Sequence, residues 1–401
     1  MSAPATRASD AVVIVGAART PIGGFQGALS PLSASALGAA AIRAAVDRAG
    51  LSGGRVDEVL MGCVLPAGLG QAPARQAAMA AGLDKAVPCT TVNKVCGSGM
   101  KAAMLAHDAL LAGTAQIAVA GGMESMSNAP YLVARAQDGV RAGHRRMEDH
   151  IFLDGLEDAY DRGRLMGAFA ETTAAACQFT REAQDAYALA SLERARQAAA
   201  DGQFAAEIAP VEVGSGDSVR RVDTDERPWQ ADPAKIPHLK PAFRDDGTIT
   251  AASSSAISDG AAALVLMRRS KAERRGVRPL AAVIGHATHA QAPAHFATAP
   301  GPAICKLLAR IGWEIGDVEL FEINEAFAVV AMAAMRDLDI PHDALNVHGG
   351  ACALGHPIGA SGARIVTTLL QALSRHGLRR GVAAICIGGG EATALAVERL
   401  T

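Results

Sequence analysis

The sequence lacks a surplus of charge of either sign, and it has few aromatic side chains. Lysine and arginine together number 38 against 40 aspartates and glutamates, and aromatic residues make up 3% of the 401 residues. A chain so close to neutrality carries no broad basic field for a nucleic acid or an anionic membrane surface. No apolar run reaches membrane-spanning length without a glycine or a charge. We therefore expect neither a nucleic-acid nor a membrane partner.

Paired cysteines are also missing. The seven cysteines are odd in number, irregularly spaced and free of C-x-x-C motifs, which argues against a disulfide framework or a zinc site. Free thiols fit a reducing compartment, and the opening segment MSAPATRASD has no apolar signal core. We therefore expect a cytoplasmic protein. The cysteines are Cys63, Cys89, Cys96, Cys177, Cys305, Cys352 and Cys386.

What the sequence does contain is a series of apolar strands that alternate with glycine-bounded helices. Hydrophobic residues make up 50% of the chain, which is enough for a large core and more than one domain. The alternation predicts an α/β sheet that is covered on both faces. Predicted strands are Ala11–Pro21, Val56–Leu65 and Ala115–Gly122, and predicted helices are Ser33–Gly50 and Gly97–Gly113.

The C-terminal third repeats the same order of elements. The helix predicted over Gly359–Gly377 matches the one that follows Cys96, and the strand predicted from Gly381 matches the one from Ala115. Matching segments lie about 260 residues apart, and their recurrence in one order indicates an internal duplication. The sequence therefore predicts two related α/β halves that pack together.

A more polar insertion separates the parts of the first half. It is rich in charge, Pro and Asp, and it contains one predicted helix that Thr180 caps. Such a flap over one end of the sheet is well placed to bind substrate. The predicted divisions are the first half (1–124), the insertion (125–248), the completion of the first half (249–275) and the second half (276–401).

Reactive side chains recur where predicted strands end or helices begin. Cys96 comes before a glycine-opened helix, where the dipole and free N–H groups favour a thiolate. His356 precedes the matching helix of the second half, and Cys386 lies before three glycines. Taken singly, each cysteine also fits a packing role, and Asn324 also fits a strand cap. Together they suggest one nucleophilic thiol, an activating imidazole and a second thiol as acid or base.

Five segments in this order resemble the signatures of the thiolases. The resemblance runs from about Val12 to the C-terminus and is closest to the branch that condenses two acetyl-CoA molecules. It implies two duplicated α/β halves in αβαβα layers with an inserted loop domain that binds coenzyme A. The segments are NKVCGSGMKA, GGMESMSNAP, NEAFA, GGACALGHPIGASGAR and CIGGG.

The resemblance also implies a role for each reactive residue. Cys96 would take the acyl group as a thioester, His356 would deprotonate Cys96, and Cys386 would remove the α-proton of a second acyl-CoA. Asn324 would hold a water beside His356, and the N–H groups of Cys96 and Gly388 would form the other oxyanion site. The expected reaction is a ping-pong Claisen condensation and its reverse, with coenzyme A as substrate carrier and no cofactor or metal.

Three further positions match residues that line the family's acyl and pantetheine channel: Met166, Ser255 and Phe327. Leu165 departs from the histidine that is common in short-chain members, which leaves a broad-chain 3-ketoacyl-CoA thiolase as the alternative. A non-catalytic scaffold of the same fold would lose the nucleophile or the histidine, and a ketosynthase would have a second histidine in place of Cys386. Family habit favours a homotetramer built as a dimer of dimers.

Overall fold

The fold is that of a computed structural model, which describes residues 10–51, 56–135, 144–214 and 216–400. Residues 1–9, for which the sequence predicts no signal core, lie outside these ranges, as does the stretch 136–143 of the predicted insertion. In the described ranges, no helix combines the length and the apolar character that a membrane span needs.

Strands form one large sheet and two small hairpins. They are Val12–Arg19 (β1), Gly23–Gly24 (β2), Glu58–Gly62 (β3), Cys89–Val92 (β4), Ile117–Ser125 (β5), Tyr131–Leu132 (β6), Glu148–Asp149 (β7), Val211–Val213 (β8), Arg220–Val222 (β9), Ser258–Arg268 (β10), Ala281–Ala290 (β11), Leu320–Ile323 (β12), Arg380–Ile387 (β13) and Glu391–Arg399 (β14).

Helices cover the large sheet and form much of the insertion. They are Ala34–Arg48 (α1), Pro73–Ala80 (α2), Ser98–Ala112 (α3), Met166–Ala176 (α4), Arg181–Ala200 (α5), Arg227–Gln230 (α6), Arg269–Arg275 (α7), Pro300–Ile311 (α8), Ala328–Leu338 (α9), Ala351–Leu354 (α10) and Ile358–Arg375 (α11). Single turns of 3-10 or π-helix connect several of these elements.

The pairing of the strands confirms the duplication. In the first half, β3 is parallel to β5, which is antiparallel to β10, which is antiparallel to β1. In the second half, β12, β13, β14 and β11 repeat these three relationships in the same order. The central strands β1 and β11 join the halves through two residue pairs, Val13 with Ala282 and Ile14 with Ala281.

The layers follow the predicted αβαβα arrangement. Helices α1 and α2 cover the outer face of the first half, and α8 covers the outer face of the second. Helices α3 and α11 pack against each other between the two half-sheets and form the middle core. Because both helices lie in the middle layer, the residues just before each helix are brought towards the same region of the molecule.

Glycines allow α3 and α11 to approach closely. A Cβ atom on Gly99 would lie 2.9 Å from the Ala363 nitrogen, and one on Gly362 would lie 2.8 Å from the Met100 Cβ. Real Cβ contacts essentially never reach these distances, so the crossing tolerates no side chain at either glycine. The Ser-Gly pairs that the two halves share in sequence therefore meet at the centre of the fold.

The insertion is more helical than the sequence predicted. Helix α5 begins where expected, because the Thr180 hydroxyl accepts the Ala183 N–H at 3.2 Å. The preceding helix α4 was not predicted, since its small apolar residues show little polar periodicity. The insertion is anchored to β1 by the buried Arg19, whose guanidinium lies 2.6 Å from Glu207 and 2.7 Å from Asp225. Removing one partner of such a buried pair typically costs about 3–5 kcal/mol.

Candidate active site

One cavity of about 350 Å³ lies where the two halves meet the insertion. Its walls are mostly apolar, which suits an acyl chain or another slender apolar group. All but one of the residues singled out by the sequence line this cavity: Cys96, His356, Cys386, Gly388, Met166, Ser255 and Phe327. The exception is Asn324, which is buried directly behind the histidine.

Cys96 lies on a tight turn directly before α3. Val95 adopts a φ of +44°, a left-handed conformation that costs a β-branched residue about 1–3 kcal/mol. The Ser98 hydroxyl stabilises the turn because it accepts the Lys94 N–H at 2.8 Å and donates to the Val95 carbonyl at 2.6 Å. Gly97 is the N-cap of α3. The turn therefore presents the thiol to the cavity while the helix leads away from it.

Burial decides the charge of this thiol. It raises the pKa of Cys96 to about 12, although the N–H groups of Gly388 and of Cys96 itself donate to the sulfur and oppose the rise. The negative charge of Glu124 raises the pKa further. The thiol is therefore protonated in the resting protein at neutral pH, because lost hydration outweighs the helix dipole. A base must take the proton when substrate arrives.

His356 lines the cavity and has a ring nitrogen that is able to accept a proton. Its Nδ1 lies 2.6 Å from the Ser361 hydroxyl, and that hydroxyl donates to the Pro357 carbonyl at 3.0 Å. Because the serine has one proton, Nδ1 must donate to the serine and Nε2 must carry the free lone pair. Burial, aided by the charge of Arg364, lowers the pKa of His356 to about 3. The imidazole is neutral at pH 7 and able to accept a proton.

Asn324 extends this arrangement at the end of β12. Its Nδ2 lies 3.5 Å from Nε2 of His356, and its own N–H donates to the Ala384 carbonyl at 3.0 Å. Its Oδ1 is buried and has no hydrogen-bond partner among the described residues. A buried acceptor without a partner is costly, so this oxygen is suited to bind a water or a substrate group.

The neighbouring Glu325 fixes the loop that carries Asn324. Its carboxylate is fully buried and joins that loop to helix α5 of the insertion and to the segment before His356. Four donors satisfy it: Tyr187 Oη at 2.9 Å, Ser191 Oγ at 2.8 Å, Asn346 Nδ2 at 2.8 Å and the Cys352 N–H at 3.1 Å. Such a saturated network holds the site rigid.

Cys386 lies one residue before the end of β13. Its pKa is raised well above the usual range, first by burial and then by the charge that Cys96 would carry, which shows that the two thiols are electrostatic neighbours. A glycine turn follows, in which Gly389 and Gly390 have φ values of +91° and +86°. The turn directs the Gly388 N–H at Cys96. Two thiols, an imidazole and two N–H donors thus face one cavity.

Comparisons with known proteins agree with this geometry. Residues 12–270 match the family model of the thiolase N-terminal domain, and residues 277–399 match that of the thiolase C-terminal domain. The chain belongs to the thiolase family.

Its similarity to individual thiolases extends over nearly the whole chain. It is 51% identical to acetyl-CoA acetyltransferase 2 of Arabidopsis thaliana over 97% of each chain. It is 48% identical to an acetyl-CoA acetyltransferase of Rhizobium meliloti, over 97% of this chain and 99% of that one. The crystal structure of the Bacillus anthracis acetyl-CoA acetyltransferase superposes with a TM-score of 0.94 at 38% identity, covering 97% of this thiolase and 99% of that chain.

Aromatic and sulfur-containing side chains form the channel of this thiolase. Met166 begins α4, and its sulfur would lie 3.4 Å from a Cβ at Gly388, so this side chain limits the space beside the glycine turn. Phe327 lies edge-to-face with Phe243 and Phe296, with ring centroids 5.6 Å and 6.2 Å apart. This packing makes the channel wall rigid.

Ser255 lines the same cavity. Its N–H donates to the Ala326 carbonyl at 2.9 Å and so ties this wall to the loop of Asn324. Leu165, the residue that departs from the short-chain pattern, also lines the cavity. An apolar side chain there neither donates to a substrate nor excludes an alkyl group.

Arg227 is a cavity residue that the sequence interpretation missed. It lies in α6 of the insertion, is half-buried, and its Nε has no partner among the described residues. Burial lowers its pKa, but an arginine keeps its charge at neutral pH. The segment DERPW, in which Arg227 stands beside the exposed Trp229, is the sequence signal that could have identified it.

An ion pair joins the two cysteine-bearing segments. Lys94, two residues before Cys96, contacts Glu391, which follows the glycine turn after Cys386. Their side chains are 21% and 34% exposed, so the pair is partly shielded from solvent. The contact crosses between the two halves next to the segments that carry Cys96 and Cys386.

Proposed function

We propose that this thiolase is an acetyl-CoA acetyltransferase, which condenses two acetyl-CoA molecules to acetoacetyl-CoA and free coenzyme A and also catalyses the reverse thiolysis. The observation that carries the proposal is the meeting of Cys96, His356 and Cys386 with the Gly388 N–H in one apolar cavity. The names of relatives with 46–51% identity over nearly full length support the acetyl specificity.

In the first half-reaction, Nε2 of His356 takes the proton of Cys96 as the sulfur attacks the carbonyl carbon of acetyl-CoA. The N–H groups of Cys96 and Gly388 donate to the oxyanion, and each such donor is worth about 3–4 kcal/mol. The carbon–sulfur bond to coenzyme A then breaks, and Cys386 gives its proton to the departing thiolate. The products are acetyl-Cys96, free coenzyme A, an imidazolium at His356 and a thiolate at Cys386.

In the second half-reaction, the Cys386 thiolate removes an α-proton from a second acetyl-CoA. The enolate oxygen receives hydrogen bonds from the imidazolium of His356 and from a water held by Asn324, whose buried Oδ1 has no protein partner among the described residues. The enolate carbon attacks acetyl-Cys96, the sulfur leaves, and it recovers its proton from His356. Each thiol and the imidazole thereby return to the neutral state that their burial favours.

A broad-chain 3-ketoacyl-CoA thiolase is the second candidate. Leu165 makes the cavity wall apolar at the position where short-chain members of the family commonly have a histidine. The test is kcat/KM for thiolysis of acetoacetyl-CoA and of 3-ketooctanoyl-CoA at one fixed coenzyme A concentration. A strong preference for acetoacetyl-CoA supports acetyl transfer. Equal rates, or a preference for the longer substrate, would replace that specificity by the broad one and leave the catalytic residues unchanged.

The remaining expectations belong to the same proposal. The reaction uses coenzyme A as substrate carrier and no cofactor, and the seven free cysteines suit a reducing, cytoplasmic setting. A homotetramer would cover the exposed side chains of Tyr131, Val133 and Met147 around the β6–β7 hairpin. Light scattering on the purified protein and on Tyr131→Asp tests this, since a tetramer held elsewhere would survive the substitution.

A further inference from the structure

Two histidines and an aspartate meet away from the catalytic cavity. His107 and Asp108 lie in α3 of the first half, and His286 lies in β11 of the second. Nε2 of His286 is 2.9 Å from Oδ1 of Asp108, and Nδ1 of His107 is 3.3 Å from the same oxygen. In the described ranges this is the one group of His, Cys, Asp or Glu side chains whose donor atoms converge for a metal ion.

The spacing of the donor atoms fits a small divalent ion. Zinc binds imidazole nitrogen and carboxylate oxygen at about 2.0–2.2 Å, which places neighbouring donors about 3–3.5 Å apart. Two of the donor pairs already lie at 2.9 Å and 3.3 Å, and all three donor atoms lie within 4.8 Å of one another. Water can fill the coordination positions that the three side chains leave open.

The two imidazoles are mostly buried, whereas the carboxylate is open to solvent and gives an ion access to the cluster. The side chains of His107 and His286 are 10% and 12% exposed, whereas that of Asp108 is 53% exposed. The two rings are edge-to-face with centroids 5.1 Å apart, which limits their rotation. A neutral imidazole can place its single proton on the nitrogen that faces away from the ion.

Nearby positive charges affect the affinity that we expect for a metal ion. Arg310 donates to the His286 carbonyl at 2.8 Å, and Arg268 is close enough to act on the charge of His107. These charges oppose a second cation, while one carboxylate and two imidazoles favour it. The mixed nitrogen and oxygen donors select an ion of the zinc, cobalt or nickel type over calcium or magnesium.

We propose that His107, Asp108 and His286 form a binding site for a divalent transition-metal ion of the zinc type, which links the two halves of the fold. The ion would stabilise the contact between α3, whose first turn follows Cys96, and β11. It has no part in the acyl transfer. The sequence excluded a zinc site from cysteine spacing alone, and residues 107 and 286 are too far apart in sequence to form a motif.

The experiment is a Co²⁺ titration of the full chain followed by visible absorption, with Asp108→Asn and His286→Gln as test variants. His238→Ala, which removes an exposed histidine elsewhere, is the matched control. We expect the parent and the control to bind a single equivalent with nitrogen and oxygen ligation. Each test variant should bind at least about tenfold more weakly, since even an outer-shell change costs a metal site that much.

A second readout separates this site from the catalytic thiols. Cobalt bound by Cys96 or Cys386 gives intense sulfur-to-metal charge-transfer bands, and these would be unchanged in the test variants. Zinc should raise the melting temperature of the parent and the control but not of Asp108→Asn, while all variants keep their acetyl-transfer activity. Equal cobalt binding by parent and test variants, or thiolate-ligated cobalt alone, would overturn the proposal and leave the three side chains as a hydrogen-bonded triad.

Discussion

The two halves of this thiolase use the same helix start for different chemistry. In the first half, Ser98 holds a backbone turn, so that the Cys96 thiol faces the cavity. In the second half, Ser361 holds a side chain, so that Nε2 of His356 is left free to accept a proton. Both serines precede a glycine at the crossing of α3 and α11. The two halves thus share one scaffold, but the serines at the matching positions hold different groups.

The strand ends differ in a corresponding way. Near the end of β5, Glu124 is buried and accepts the N–H groups of Val64, Leu65 and Gly359. At the end of β13, the glycine turn leaves the Gly388 N–H free to reach Cys96. The first strand end therefore braces the start of α11, whereas the second places a backbone N–H group beside the Cys96 sulfur.

The largest effect on activity is expected from replacing each of the two thiols in turn. Cys96→Ala should lower kcat/KM by at least about 10⁴-fold, as for other enzymes that lose a covalent nucleophile. It should also prevent acetylation of the protein. Cys386→Ala should still acquire an acetyl group but fail to condense it. Intact-mass spectra after acetyl-CoA treatment distinguish the two variants, with exposed Cys305→Ala as control. Acetylation of Cys96→Ala at the normal rate would contradict the assignment.

The two serines provide the next test. Ser361→Ala leaves the Nδ1 proton of buried His356 without an acceptor, which should lower kcat by about 10- to 100-fold, corresponding to about 1–3 kcal/mol. It should also move the acid limb of the pH–rate profile, because the tautomer is no longer fixed. Ser98→Ala should lower the rate without moving that limb, since it alters backbone only. Identical pH profiles for the two variants would contradict the conclusion that Ser361 holds the His356 ring whereas Ser98 holds only backbone.

Glu124 predicts a pH dependence of stability. Burial raises the pKa of Glu124 from its ordinary value of 4.5, which it has in the unfolded chain, to about 7. The hydrogen bonds from the N–H groups of Val64, Leu65 and Gly359 oppose this rise. The folded protein therefore holds this proton between those values, and the associated stability is lost as pH rises from about 4.5 to 7. The difference corresponds to about 3 kcal/mol.

The measurement is urea unfolding of the parent and of Glu124→Gln between pH 5 and 8. The parent should lose stability over this range more steeply than the variant, which has no proton to release. Glu226→Gln is the control, because that carboxylate is only half-buried and its pKa is lowered rather than raised. If the free energy of unfolding changed with pH in the same way for the parent and for Glu124→Gln, Glu124 would not be the titrating group.

The smallest effect is expected at the ion pair between the halves. Lys94→Gln or Glu391→Gln should lower the acetylation rate of Cys96 about three- to fivefold, in line with about 0.5–1 kcal/mol for a partly exposed pair. The charge-reversed double variant, Lys94→Glu with Glu391→Lys, should recover part of the loss. Rapid-quench measurement of acetyl-enzyme formation checks this, and a double variant no better than the single ones would exclude a positioning role.

Much of this site could be read from residue types and their order. Cys96, His356 and Cys386 stand beside glycines at element ends, and the repeated order of elements indicated that matching ends would meet. The charge of Cys96 could not be read this way, because it depends on burial by residues that are distant in sequence. The role of Ser361 was also hidden, since a serine inside a helix has no periodicity of its own.

The sequence by itself determined the duplicated α/β order, the capped helix of the insertion and the reactive residue types, because these depend on local periodicity and on turn chemistry. Only the tertiary structure decided which groups share an environment. It brought the half-buried Cys96 to the buried Cys386 and His356. It also left the Asn324 oxygen without a protein partner among the described residues and brought Arg227 to the cavity. Protonation and convergence are set by neighbours in space, and these neighbours come from segments far apart along the chain.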